Sequence, residues 1–330
     1  MVLQNLNTPE KNGGSLRIPF STLTPLFTGG IGQYGEQIHP SGLLGSIRYF
    51  SCLVAAAIGD TEFESDVWEG ASESSSHAKQ VALRWETAGL SQVKLPNIQI
   101  PRDDGKSSRW FFSCAQQGDL TLILTRRGVS DTHWNLLLIA LRIQIRWASF
   151  GAKDQFGLGV LASEALDKIQ ALAPNQQMSV IQNSPSLHQA FFARIVFARP
   201  ESLPMESRLR EGLVWRTFLR NQFRQSGENH LRHYLFGNIK GREQYASAMN
   251  ISAAYSLDKQ HYEIRIWGVI PHTHQFSFQS QYTNIMQRLQ QALESSPPEF
   301  NGISNRVIEI SPESTQLIPW LNKLAGVDHA

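Results

Sequence analysis

Two glycine-rich loops carry the residue types best suited to holding an anion. Gly29, Gly30 and Gly32 lie just ahead of a helix that opens at Pro40 and Ser41, and the run GAKDQFGLG supplies Gly151, Gly157 and Gly159. Without Cβ atoms, successive backbone N–H groups can converge on a phosphate or ribose. A helix N-terminus adds its dipole and unpaired N–H groups. Arg48, two turns into that helix, and Lys153, within the second loop, are the candidate counter-charges. The same glycines also fit a plain reading as tight turns.

A second group is cationic. Arg216, Arg220 and Arg224 stand four residues apart on one expected helix and form one stripe. Arg232, His233, Lys240 and Arg242 follow, so that eight Lys or Arg face four Asp or Glu between Met205 and Glu243. Three readings fit this segment: an RNA groove, a solvated helix face, and a docking surface for a neighbouring protein. His272 and His274, and His230 and His233, have spacings that could chelate, yet no carboxylate or cysteine completes either pair nearby. They read as satisfied or exposed histidines, with no metal or cofactor expected. For acid–base chemistry, His39 and Glu36 stand in the first loop, and no aspartate occurs between Gly29 and Gly59. Asp103 and Asp104 read as a surface turn. No catalytic constellation is assembled.

These residues need elements to position them. Leu16, Ile18 and Phe20 alternate as in a half-buried strand, and Leu43, Leu44, Ile47, Phe50, Val54 and Ile58 recur at helical spacing. Gly42 and Gly45 on that helix point to close approach by a strand or by RNA. A loop over Thr61–His77 precedes strands at Gln80–Trp85, Arg109–Ala115 and Asp119–Arg126, the last two joined by a Gln116–Gly118 hairpin turn. A helix at Thr132–Ala148 and a strand at Leu158–Ser163 follow. The second half reads as a strand at Ala190–Ala198, a helix at Glu206–Gln225, strands at Ala246–Tyr255 and His261–Ile270, a helix at Gln279–Leu293 and a strand at Asn305–Ile310. Both halves give β-α-β-β-α-β, the ferredoxin-like order, with one extra hairpin strand in the first. The expected layout is a flexible segment over 1–14, a first domain over 15–165, a linker over 166–188 and a second domain over 189–330.

Composition bounds the function. The chain has 330 residues, 41% hydrophobic and 18% charged, with a net charge of +2. That excludes a polybasic binder and confines any nucleic-acid site to a local patch. Two cysteines exclude a thiolate zinc site and a disulfide framework. No apolar run is long enough to span a membrane, the first residues lack a signal peptide's apolar stretch, and a cytoplasmic protein is expected.

TPLFTGG (Thr24–Gly30) followed by IHPSGLLGSIRYF (Ile38–Phe50) resembles the opening of the first-subunit family of the CRISPR type III-B Cmr complex, within the RAMP superfamily. Gly151–Gly159 is similar to the glycine-rich loop of RAMP domains, and Leu231–Ser252 to the family's second-domain stretch. The resemblance runs from about Ser15 to Ile310. His39 stands where the family has arginine, and the expected Phe-Gly-Ser motif of the first domain is missing. The resemblance implies an α+β fold of two tandem ferredoxin-like RAMP domains and an RNA-binding, non-enzymatic subunit of a type III effector in antiviral defence. It implies guide (crRNA) and target RNA, and other effector subunits, as partners. It further implies that both glycine loops border one RNA-facing surface, where Arg48 and Lys153 act together. Two other functions remain open: a RAMP endoribonuclease using a histidine such as His39, and a scaffold subunit that never touches RNA.

Overall fold

The computed structural model describes residues 12–29, 35–69, 80–101, 107–110, 114–153, 156–169, 171, 185–199, 202–223, 229–237, 247–270, 278–300, 303, 305–310, 317 and 319–321. In the first half, β1 (Asn12–Thr22) leads to α1 (Pro40–Ala57), a short α2 (Phe63–Val67) and β2 (Val81–Glu86). Three further strands follow, β3 (Leu90–Lys94), β4 (Ile98–Pro101) and β5 (Ser107–Trp110). The long β6 (Cys114–Arg127), α3 (Asp131–Trp147), β7 (Leu161–Ala162) and a one-turn α4 (Glu164–Asp167) complete it. The main sheet runs β2-β6-β1-β7, all antiparallel, with β3 also paired to β6.

The second half holds β8 (Ala190–Ala198), α5 (Met205–Gln222), α6 (Asn229–Phe236), β9 (Met249–Ile251) and β10 (Tyr255–Ser256). It ends with β11 (His261–Val269), α7 (Phe278–Ser295) and β12 (Asn305–Ile310). Its sheet runs β10-β11-β8-β12, with β9 beside β11. In both sheets the first strand lies between the third and the fourth, and the second is at the edge. That is the ferredoxin-like arrangement, twice, in an α+β chain.

The two units are stacked as sheet, helices, sheet, helices. Along β1 the buried side chains are Leu16, Ile18 and Phe20, which meet α1 and α3 in one core. β8 alternates too: Phe191, Ala193, Ile195 and Phe197 face its own helices, while Phe192 joins the first core with Trp267, Val269 and Trp320. The second sheet therefore covers the outer side of the first helix layer. This explains α3, where fourteen of 17 residues are buried. A surface helix buries one stripe, whereas a helix between two sheets must be apolar nearly all round.

Charges buried at this junction are paired, as they must be out of water. Glu263, with no exposed surface, accepts from Arg194 Nε (2.9 Å) and Nη2 (2.5 Å) and from the Tyr255 hydroxyl. Arg265 donates to Tyr255 Oη (2.7 Å), to Ala148 O (3.1 Å) and to Ile145 O. An arginine of the second unit thus satisfies carbonyls at the C-terminal end of α3 in the first.

Several elements differ from the sequence reading. Residues 114–127 form one strand where a hairpin was expected. Gly118, at φ +135°, bends that strand so that Cys114–Gly118 pairs with β3 and Asp119–Arg127 with β1 and β2. A glycine there is required, because a Cβ would lie 2.3 Å from Gly89 O. The Thr61–His77 loop contains α2, and α6 occupies a stretch read as loop. Within the expected linker, Leu166, Ile169, Ala171 and Leu187 are buried in the first core, and Arg142, itself buried, donates to Leu166 O (3.2 Å). Cys52 and Cys114 are both free thiols. No helix among the described residues is long and apolar enough to cross a membrane.

Candidate nucleic-acid interface

The two glycine loops lie side by side. Leu23 N donates to Val160 O (2.9 Å), Gly159 N to Pro25 O (2.8 Å) and Ala152 N to Phe27 O (2.7 Å). Gly151 N also reaches Ser46 Oγ on α1 (3.3 Å), and His39 N donates to Thr28 Oγ1 (2.7 Å) at the helix entry. This ladder forms because β1 and β7 are neighbours in the sheet and the loops extend them. The two loops are therefore neighbours in the fold.

The glycines themselves divide by role. Gly151, at φ +85°, lies so close to Phe27 O that a Cβ would sit 2.4 Å away. Gly157 and Gly159 correct the sequence reading: both are buried, and the space beside them is filled by Ala253 N (2.3 Å from a Cβ) and Phe150 O (2.0 Å). They allow chain to pass chain and have no face for a ligand. Among the described residues, nothing lies within 4 Å of where a Cβ on Gly29 would be. Gly30, Gly32, Arg224, Lys240 and Arg242 lie outside the described residues, as do His272, His274, Asp103 and Asp104.

Among the cations, Arg48 is half exposed and binds Glu64 of α2 through Nη2 (2.6 Å) and Nε (3.2 Å). The Glu64 carboxylate raises its pKa further. Lys153 stands two residues past Gly151 in the left-handed region, at φ +62°, a conformation costly for a side chain with a Cβ. Arg220 is partly buried on α5, and Arg232 Nη2 donates to His233 Nε2 (3.1 Å).

Arg216 is a correction. Its guanidinium donates to Phe236 O (2.6 Å), Met249 O (3.3 Å) and Ser247 Oγ (3.3 Å) and stacks on Phe236. The arginine is thus used inside the fold. What it holds in place is the start of β9, one wall of a cleft that the sequence reading missed.

That cleft, about 520 Å³, separates α1 from the second sheet. Gly42, Gly45, Ser46 and Tyr49 form one wall, Gly151 lies at one end, and Ser247, Asn250 and Trp267 belong to the other. The first wall was legible, since residues 42, 45, 46 and 49 share one face of a helix. The second wall comes from residues some two hundred positions later, which no local pattern could pair with it. No group of three or more His, Cys, Asp or Glu among the described residues is arranged to hold a metal.

The RAMP superfamily's sequence profile matches residues 19–162. No curated protein matches the chain. Among solved structures, Cmr1 from Pyrococcus furiosus in its apo form is 13% identical, with a TM-score of 0.44 over 88% of this chain and 97% of its own. A chain of a type III-B Cmr-beta complex bound to cognate target RNA is 11% identical, with a TM-score of 0.47 over 84% of this chain and 99% of its own. The profile match begins in β1 and ends in β7, taking in the whole four-stranded ferredoxin-like order of the first unit. Over residues 19–162, the first unit, the chain is therefore similar to the RAMP superfamily.

Proposed function

We propose that this chain is a non-catalytic RNA-binding subunit of a type III CRISPR effector, holding the 3′ region of the guide RNA and its paired target beside other subunits. The observation that carries this reading is the hydrogen-bonded pair of glycine loops at one end of the cleft, with Lys153 in the second. The RAMP match and the resemblance of the opening motif support it. Backbone and cation contacts of this kind recognise phosphate and shape, so guide–target pairing supplies the sequence specificity. For catalysis, the loop that offers His39 holds no aspartate, and His39 stands exposed at the start of α1.

The test is titration of labelled single-stranded RNA over a range of salt. Affinity should fall with log–log slope of roughly −0.7 for each phosphate neutralised, with little sequence preference. The RNA should stay intact with and without divalent metal. Cleavage that disappears in His39→Ala would replace this reading with the endoribonuclease, and absence of RNA binding would replace it with the scaffold.

A further inference from the structure

We infer that the cleft between α1 and the second sheet receives a single unpaired nucleobase of the bound RNA, while the strand's phosphates stay outside at the rim. The inference rests on the RNA-binding reading above and adds what the cleft itself recognises.

Charge is the first argument. Among the described residues, no side chain lining the cleft carries charge at neutral pH. A phosphate inside would lose its water with no cation to replace it, which is strongly unfavourable. An uncharged, planar, polar group meets no such penalty. The volume, about 520 Å³, lies in the ordinary range for small-molecule sites.

The second argument is the polar groups that the cleft presents. The indole of Trp267, a residue 3% exposed, and the carboxamide of Asn250 both line the cleft. These are neighbours across the β9–β11 ladder, where Trp267 pairs with Asn250. A donor beside an amide that both donates and accepts matches the edge of a base.

The third is stacking surface. Tyr49 is 48% exposed, one of two large hydrophobic residues so placed among those described, and it lies on the opposite wall against Phe50. Base–aromatic stacking tolerates any sequence, as a subunit that leaves sequence to the guide requires. Gly45 keeps this wall open, since nothing lies within 4 Å of where its Cβ would be. The outer face of the first sheet is no alternative platform: its exposed β1 residues are Ser15, Arg17, Pro19 and Ser21, none aromatic.

The test uses the full chain, labelled single-stranded RNA, an abasic ribose-phosphate strand of equal length, and the variants Gly45→Leu, Tyr49→Ala and Tyr49→Trp. A Cβ at 45 meets nothing within 4 Å, so leucine there projects into open space on the cleft wall, and it is a better helix former, so this variant should melt no lower than wild type. Gly45→Leu and Tyr49→Ala should each weaken RNA binding about tenfold with the salt slope unchanged, because stacking is lost and phosphate contacts are kept. Tyr49→Trp should bind like wild type, and the abasic strand should bind all four proteins equally weakly. If wild type binds RNA and both weakening variants bind it as tightly, the inference is overturned, and the cleft takes something else, such as an aromatic side chain of a neighbouring subunit. If wild type binds no RNA, the functional reading falls and this inference with it.

Discussion

Replacing Glu263 by alanine should destabilise the chain by about 3 kcal/mol. The carboxylate is fully buried and accepts three hydrogen bonds, two from Arg194 and one from Tyr255, with Arg265 Nε 3.5 Å away. Removing one partner of a buried ion pair costs about 3–5 kcal/mol, since the other charge stays behind uncompensated. The lower end applies here for two reasons. The Arg194 side chain is 25% exposed and can regain water, and Arg265 keeps Tyr255 and the α3 carbonyls as acceptors. Glu263→Gln preserves shape and an acceptor, so it should cost about 1–2 kcal/mol. At about 2.1 cal/mol/K of unfolding entropy per residue, a 330-residue chain shifts by roughly 1.4 °C per kcal/mol, so Glu263→Ala should melt about 4 °C lower. Urea unfolding measures the free energy and a thermal scan the shift. Because Arg265 keeps its bonds to the α3 carbonyls in both variants, the two halves should still unfold together in Glu263→Gln and in Glu263→Ala. A loss below about 1 kcal/mol in Glu263→Ala would refute the view that this network joins the units.

Gly151→Ala should cost about 1–3 kcal/mol, read by urea unfolding, because its φ is +85° and the new methyl meets Phe27 O at 2.4 Å. Lys153→Ala should weaken RNA binding and make the salt slope shallower by roughly one phosphate's share, whereas Lys153→Asn, better suited to φ +62°, should raise the melting temperature and still bind weakly. His133 and Asp60, 3.0 Å apart beneath α2, set a pH window. The Asp60 hydrogen bond raises the pKa of His133 despite burial, so that contribution is complete below the unfolded value near 6.5 and lost as pH rises through the folded one. Burial opposes ionisation of Asp60, but His133 and the backbone N–H groups of Glu62 and Phe63 outweigh it and lower its pKa; that contribution is present above about pH 4 and lost in acid. Wild type should therefore exceed His133→Phe in stability most clearly between about pH 4 and 6.5, by urea unfolding across pH; a difference that grows toward pH 9 would refute the pairing.

Where neighbours in sequence are neighbours in space, the sequence alone determined the outcome. The alternation of Leu16, Ile18 and Phe20 made β1, and Pro40 with Leu43, Ile47, Phe50 and Val54 made α1 and its buried face, because period and capping are local properties. The bounds of β8 and β12 followed the same rule, and two rounds of strand–helix–strand–strand–helix–strand were enough to specify the ferredoxin-like order. Tertiary structure decided whatever depended on a distant partner. Gln116–Gly118 has the composition of a turn, and only pairing with β3 on one side and β1 on the other made it a bend within one strand. Arg216 belonged to a visible cationic stripe, yet where its guanidinium points was set by carbonyls of residues 236 and 249. Gly157 and Gly159 looked like an anion cradle until the backbone of Ala253 and Phe150 occupied the space beside them. The cleft is the extreme case. Its walls are α1 and β9–β11, brought together because the second sheet buries its outer face on α1 and α3. Burying that apolar face is a gain spread over the whole chain, and no window of sequence contains both surfaces.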